Sequence, residues 1–284
     1  MTATATDQRA YNFSAGPAAL PVSVLEEVRD EMLCLPGARS SLLEMSHRDK
    51  AFVDLLHDAE NTLRSLLAIN DDYAFLFLQG GAALQISMIP ANLLRDTGKT
   101  AAYIQTDSWG KKAIAEAKKE GGVEVVYDAA ESNFNHVPGA GDYDVASDAA
   151  YLYYCNNETI QGVQFQNEPE SPAGVPLVCD ASSDFLHRPI DVSKYGILYA
   201  CAQKNAGPAG VTVVVIRRDL LEVGSDSLPG YLNYNNHAKA DSEWNTPPTF
   251  SIYVLGKVAR WLRDDIGGLD AMEKINREKA SILY

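Results

Sequence analysis

The sequence predicts an α/β fold built on a largely parallel sheet. Three observations support this. Apolar runs of strand length alternate with amphipathic stretches of helix length. Most of those runs end in polar or glycine-containing loops, as strands of a parallel sheet do. Hydrophobic residues are 46% of a 284-residue chain, ample for one large core plus a smaller piece.

The elements follow in order. Tyr11 to Pro21, YNFSAGPAALP, reads as an ordered irregular segment. Pro21 opens an amphipathic helix over about 21–33, with Val24, Leu25, Val28 and Met32 along it. Pro36-Gly37 ends it. His47-Arg48 lies on a loop before a helix of about 50–67. Tyr73 to Leu78 is a buried strand, followed by Gln79-Gly80-Gly81-Ala82 and a helix from Leu84 to about Leu94. Ala101 to Gln105 is a strand, then come the Asp107-Ser108-Trp109-Gly110 loop and a helix of about 110–120. Strands follow at Val123–Tyr127, Tyr151–Cys155 and Pro176–Cys179. Residues 129–147 carry little signal. Two apolar runs, about 197–202 and Val211–Ile216, flank Gln203-Lys204-Asn205-Ala206-Gly207-Pro208, a stretch too rich in Gly and Pro to continue as a helix. A polar loop is expected over 230–245. The double proline at 247–248 leads to a helix of about 249–264. Gly267-Gly268 is a hinge-like break before a last amphipathic helix, Leu269 to about Tyr284. That helix ends on apolar Ile282-Leu283-Tyr284, which reads as a surface awaiting a partner segment.

Composition excludes several functions. A net charge of -14 opposes nucleic-acid binding. It leaves room for an anionic small substrate, because a few local cations suffice to oppose the global field. No run approaches the ~18 apolar residues of a membrane span, and MTATATDQRA lacks the apolar core of a signal peptide. Four cysteines without a C-x-x-C pair indicate a reducing compartment, the cytoplasm, and neither a disulfide framework nor a metal site. Gly98-Lys99-Thr100 is not a P-loop, because the glycine required five residues earlier is Leu93.

In open parallel sheets, ligands bind outside the carboxyl ends of the strands. Gly80-Gly81, Trp109, Thr159, Asp180 and Gln203-Lys204 all fall at or just past such ends. The glycine turn before a helix offers free N–H groups to an anion. Trp109 is either core packing or a stacking surface for a planar ligand. His47-Arg48 is either a solvated pair or an anion clamp. Lys204 is either a turn lysine or an amine held in a cleft, where partial desolvation favours attack on an aldehyde.

These blocks resemble the phosphoserine aminotransferases, class-V pyridoxal-phosphate enzymes of the aspartate-aminotransferase (type I) fold. The resemblance rests on NFSAGPAALP near the start, MSHR at 45–48, QGGA at 79–82, TDSWG at 106–110, NET at 157–159, DASS at 180–183, AQKNAGPAG at 202–210 and NTPPT at 245–249. It implies a large cofactor-binding domain over 21–264. Residues 1–20 would join a small domain, of which 265–284 is the start, because family members continue beyond this length. It implies Lys204 as the lysine that bonds the cofactor aldehyde and Asp180 as the carboxylate paired with the pyridinium nitrogen. Trp109 would stack on the ring and Thr159 would face its 3-oxygen. Gly81, Ala82, Ser182 and Gln203 would cup the phosphate. Asn245 and Thr246 would reach the phosphate in a second subunit, and His47 and Arg48 would cross the same interface toward the substrate's phosphate. The implied assembly is thus a homodimer with shared sites. Its substrates would be glutamate and a phosphorylated 2-oxo acid, in serine biosynthesis and also in the 4-phosphohydroxythreonine step of pyridoxine biosynthesis. Ala83 stands where some members have a substrate-binding arginine. Two alternatives are a related transaminase or lyase for a non-phosphorylated amino acid, and a shortened chain that binds cofactor without turnover.

Overall fold

The structure, a computed structural model, describes residues 9–224 and 227–284. The first eight residues of the expected N-terminal segment lie outside them. Seven strands form one sheet: β1 (Tyr73–Leu78), β2 (Thr100–Gln105), β3 (Gly122–Asp128), β4 (Leu152–Cys155), β5 (Leu177–Asp180), β6 (Ile197–Cys201) and β7 (Thr212–Arg217). Their order is β1-β7-β6-β5-β4-β2-β3. The pairs from β6 to β3 are all parallel, whereas β7 is antiparallel to both of its neighbours. Only β7 is therefore reversed, and the other six strands present their carboxyl ends along one edge.

Helices cover both faces. On one face, α1 (Val22–Glu31), α2 (Lys50–Leu67) and α7 (Thr249–Asp264) bury Val24, Phe52, Leu56, Leu63, Ile252 and Leu255 against Phe75, Tyr154, Cys179 and Val213. On the other face, α3 (Gly81–Leu93), α4 (Ser108–Ala117) and α6 (Tyr234–Lys239) bury Ile86, Ile89, Ile114 and Tyr234 against Leu76, Tyr103, Tyr153 and Val214. Odd and even residues of each strand thus serve opposite cores, as the period-2 pleat requires. At the edge, β3 has no buried residue.

α7 approaches α2 so closely that a Cβ at Gly256 would lie 3.0 Å from that of Ala59. Lys257 on α7 is buried, and its ammonium bonds Glu27 and Glu31 on α1. A buried lysine needs such partners, since an unpaired charge there is costly. These contacts fix α7 against α1 and α2.

Three expectations are corrected. Residues around Lys204 do form a helical turn, α5 (Ala202–Asn205), because the helix-breaking Gly207 and Pro208 come only after it. Trp109 lies in the first turn of α4 rather than in a loop, since Asp107 caps that helix by accepting from the Gly110 N–H. The polar stretch 230–245 contains α6, capped by the Asn233 side chain and anchored by the buried Tyr234 and His237. The break before α8 (Leu269–Leu283) is as expected, with Gly267 and Gly268 both at positive φ.

Candidate active site

The carboxyl ends of β1, β4, β5 and β6 surround a cavity of about 210 Å³. Eight of the predicted site residues line it: Gly81, Ala82, Trp109, Thr159, Asp180, Ser182, Gln203 and Lys204. Ala83 also lines it and adds only a methyl group.

β6 runs buried to Cys201, and α5 then turns the chain so that Lys204 faces the cavity. Lys204 Nζ donates to Thr159 Oγ1 at 2.5 Å. On the far side of the lysine, Gly16 of the N-terminal segment packs so closely that a Cβ there would lie 2.9 Å from Lys204 Cγ. The Ala18 N–H donates to the Gln203 carbonyl at 2.9 Å, which holds that segment in place.

Asp180 ends β5, the central strand of the seven, and is 4% exposed. Its Oδ1 accepts from the Ser182 N–H at 2.9 Å, and its Oδ2 from the Tyr199 hydroxyl at 2.8 Å. Because Tyr199 spends its proton on Asp180, the 2.8 Å contact between the Tyr153 and Tyr199 hydroxyls has Tyr153 as donor. Burial pushes the Asp180 carboxyl above the usual carboxylate range, while the Ser182 and Tyr199 bonds and the charge of Lys204 pull it back. The ionised form therefore gains from any further cation brought against it.

Gly80 takes a left-handed conformation (φ 83°) at the start of α3, where an added Cβ would collide with Leu84. That turn exposes the first N–H groups of α3 to the cavity, an arrangement suited to an anion. The Ala82 N–H rests on Cys201 Sγ at 2.9 Å. Ser182 Oγ accepts from the Cys201 N–H at 3.1 Å, which fixes its position. Trp109 is half-buried, with Lys112 Nζ 4.1 Å from its ring centroid.

Four predicted residues stand apart from this cavity within the single chain. His47 and Arg48 lie between a 3-10 turn (Leu42–Glu44) and α2, with Arg48 exposed. Asn245 and Thr246 precede α7; Thr246 is exposed, and its carbonyl accepts from Gln79 at 3.3 Å. Sequence reading passed over Gly16, Tyr199 and Glu158. Tyr199 is the register partner of Asp180 on the adjacent strand, a signal that exists only once strand pairing is known.

Residues 10–284 match the Aminotransferase class-V family. The chain is 66% identical over 277 residues to a phosphoserine aminotransferase of Rhodopirellula baltica, covering 98% of this chain and 74% of that protein. It superposes on the phosphoserine aminotransferase from Bacillus circulans subsp. alkalophilus with a TM-score of 0.94 at 43% identity, over 98% of this chain and 76% of that one. A PLP-bound phosphoserine aminotransferase from Trichomonas vaginalis gives a TM-score of 0.90 at 42% identity, over 96% and 76%.

Gly16→Ala is expected to push the Lys204 side chain off Thr159. The measurement is the rate at which Lys204 condenses with a small aldehyde, trapped by borohydride and read by peptide mass spectrometry. A fall on the order of tenfold to a hundredfold is expected from such a misplacement, and an unchanged rate contradicts the contact.

Proposed function

We propose that this chain, which belongs to the class-V aminotransferase family, is a pyridoxal-phosphate transaminase that moves an amino group from glutamate to 3-phosphohydroxypyruvate. The products are O-phosphoserine and 2-oxoglutarate, and the pathway is serine biosynthesis. The observation that carries the reading is the presence of the Lys204 amine and the buried Asp180 carboxylate in one cavity that also holds an anion-binding helix start.

The residues present fit pyridoxal phosphate. Its phosphate suits the start of α3 at Gly81 and Ala82, where it would replace Cys201 Sγ as acceptor of the Ala82 N–H, with Ser182 and Gln203 beside them. Asp180 is a buried carboxylate whose ionised form gains from a cation, which suits a protonated ring nitrogen. Trp109 offers an aromatic face, and Thr159 Oγ1 a polar contact for the ring oxygen. When bound, the cofactor supplies an electron-withdrawing ring that stabilises negative charge at the substrate Cα. Asp180 is the residue that would face the ring nitrogen and favour its protonated form. The Ser182 N–H and the Tyr199 hydroxyl keep Asp180 oriented and ionised. Lys204 Nζ takes the proton from the substrate Cα and returns it on the other side of the exchange. Without cofactor, Thr159 Oγ1 accepts from Lys204 Nζ, and Gly16 closes the space behind the lysine.

The working enzyme is a homodimer in this account, with Asn245 and Thr246 completing the partner's phosphate cup and His47 and Arg48 reaching its substrate's phosphate. Support comes from their position apart from their own chain's cavity, and from exposed apolar side chains nearby in sequence, Leu43 at 63% and Trp244 at 44%. Residues 21–264 form the cofactor-binding domain, and the N-terminal segment and α8 belong to the small domain. The compartment is the cytoplasm. Among the described residues the four thiols are unpaired, and no helix is long and apolar enough to cross a membrane.

The direct test is a half-reaction. Holoenzyme mixed with O-phosphoserine, without an acceptor, is expected to change its cofactor spectrum and release one equivalent of 3-phosphohydroxypyruvate. Lys204→Ala abolishes this release. Arg48→Ala is expected to weaken O-phosphoserine, by about tenfold or more for a lost charge-assisted contact, and to leave glutamate unaffected. Equal loss for both substrates rejects the phosphate role, and no release by the wild-type holoenzyme rejects the function.

Site sharing has its own measurement. Lys204→Ala homodimers and Arg48→Ala homodimers, each impaired, are dissociated, mixed and reassociated. Hybrids regain one wild-type site out of two, so activity reappears on mixing. No recovery at verified hybrid formation contradicts the shared site.

A further inference from the structure

Behind the cavity lies a pair of acids that the reaction does not use. Asp107 and Glu158 are 1% and 0% exposed. Asp107 sits at the start of α4, two residues before Trp109. Glu158 follows β4 and immediately precedes Thr159. Each carboxyl has one well-held oxygen: Asp107 Oδ1 accepts from the Gly110 N–H, and Glu158 Oε1 from Thr106 Oγ1 at 2.5 Å. The other oxygen of each, Asp107 Oδ2 and Glu158 Oε2, is buried without a donor. The two side chains bring carboxylate oxygens within 4.8 Å of one another. Two ionised carboxylates are acceptors only, so neither can satisfy the other. One proton between them satisfies both orphaned oxygens at once and removes one of two like charges.

We propose that Asp107 and Glu158 share a single proton and act as a positioning pair, fastening the turn of α4 that carries Trp109 to the loop that carries Thr159. β2 and β4 are neighbours in the sheet, but their ladder stops at Tyr103 and Tyr153; the proton, together with the Thr106 bond, ties the two loops beyond it. Glu158 is anchored from its backbone as well, donating its N–H to Val163 and accepting from Gly162, so the bridge ends on a fixed loop.

The surrounding charges agree. Burial, and then the hydrogen bond and charge of Asp107, push the Glu158 carboxyl up to about 10, with Thr106 pulling the other way and Asp180 adding to the rise. The titratable groups facing the pair are Cys155 at the end of β4, whose thiol is itself pushed up by burial, Asp180 at the end of β5, and Lys204 on α5 across Thr159. Lys112 on α4 is turned to the Trp109 ring instead. Lys204 is thus the one cation among these neighbours, and Thr159 stands between it and the pair.

The positioning half of the proposal rests on the cofactor reading above; the shared proton does not, and is tested on cofactor-free protein. Infrared spectra at pH 8 are expected to show the carbonyl stretch of a protonated carboxylic acid, shifted in D2O and lost in Glu158→Gln. That variant keeps the acceptor for Thr106 and offers Asp107 an N–H in place of the proton. A folded-state pKa raised above the unfolded value, 4.5 for a free glutamate, gives stability present in full below that value and lost as pH rises toward 10. The Tm of Glu158→Gln is therefore expected to gain on the wild type steadily from pH 5 to pH 9. No band removed by the substitution, or a Tm difference independent of pH, overturns the shared proton. So does a metal ion found at one equivalent and bound through Asp107, Cys155 and Glu158. For positioning, Glu158→Ala is expected to weaken pyridoxal-phosphate affinity on the order of tenfold, while Glu158→Gln restores it. Wild-type affinity in the Ala variant, with the infrared and Tm results standing, overturns the positioning role alone.

Discussion

The constraint on which the site depends is a carboxylate removed from water at the centre of the sheet. Asp180 ends the middle strand of seven and is almost wholly buried. Desolvation penalises its charge, and two donors and one nearby ammonium only partly offset that penalty. Such a group either gives up its charge or finds a cation. The cavity in front of it, with an amine at Lys204 and a helix start ready for an anion, is shaped for a planar ligand that brings a cationic nitrogen and an anionic tail. Carboxylate, amine and anion cup are chemically different, and together they select one kind of cofactor more narrowly than any of them alone.

The reversal of β7 is what places the amine. β6 carries the chain to the active edge, and β7 takes it back beside β6, so the connection must turn within a few residues at that edge. Lys204 stands in this turn. The turn is held from behind: Gly207 lies 3.3 Å from the Leu255 backbone by its would-be Cβ, and Ser251 Oγ on α7 donates to the Ala209 carbonyl. α7 is in turn locked to α2 by the Gly256–Ala59 approach and to α1 through the buried Lys257. The same helix that fills the core thus supports the turn that carries Lys204. In the proposed reaction, that support is what would let a flexible side chain act as a placed proton carrier.

Much of this was legible in the sequence, for identifiable reasons. Buried strands show as apolar runs, and the rule that ligands gather at strand carboxyl ends joins Gly81, Trp109, Thr159, Asp180 and Lys204 from the sequence alone. Residues whose role depends on pairing were not legible. Tyr199 reads as one more apolar strand residue until its register opposite Asp180 is known, and Glu158 as a loop acid until Asp107 is placed against it. The α5 turn was obscured by the Gly and Pro that follow it. α6 was obscured by its asparagines, which read as loop although one of them is the cap. Gly16 lies nearly two hundred residues from Lys204 in sequence, so no local pattern joins them. His47, Arg48, Asn245 and Thr246 differ in kind, because their expected ligands lie across a second chain.

The measurement that bears most directly on the central claim is the 15N shift of the cofactor ring nitrogen in the holoenzyme, compared with Asp180→Asn over a range of pH. The account predicts a protonated nitrogen in the wild type well above the pH at which free cofactor loses that proton, and a neutral nitrogen in the Asn variant. The same protonation state in both proteins would contradict it, for the buried carboxylate would then not be what holds the charge.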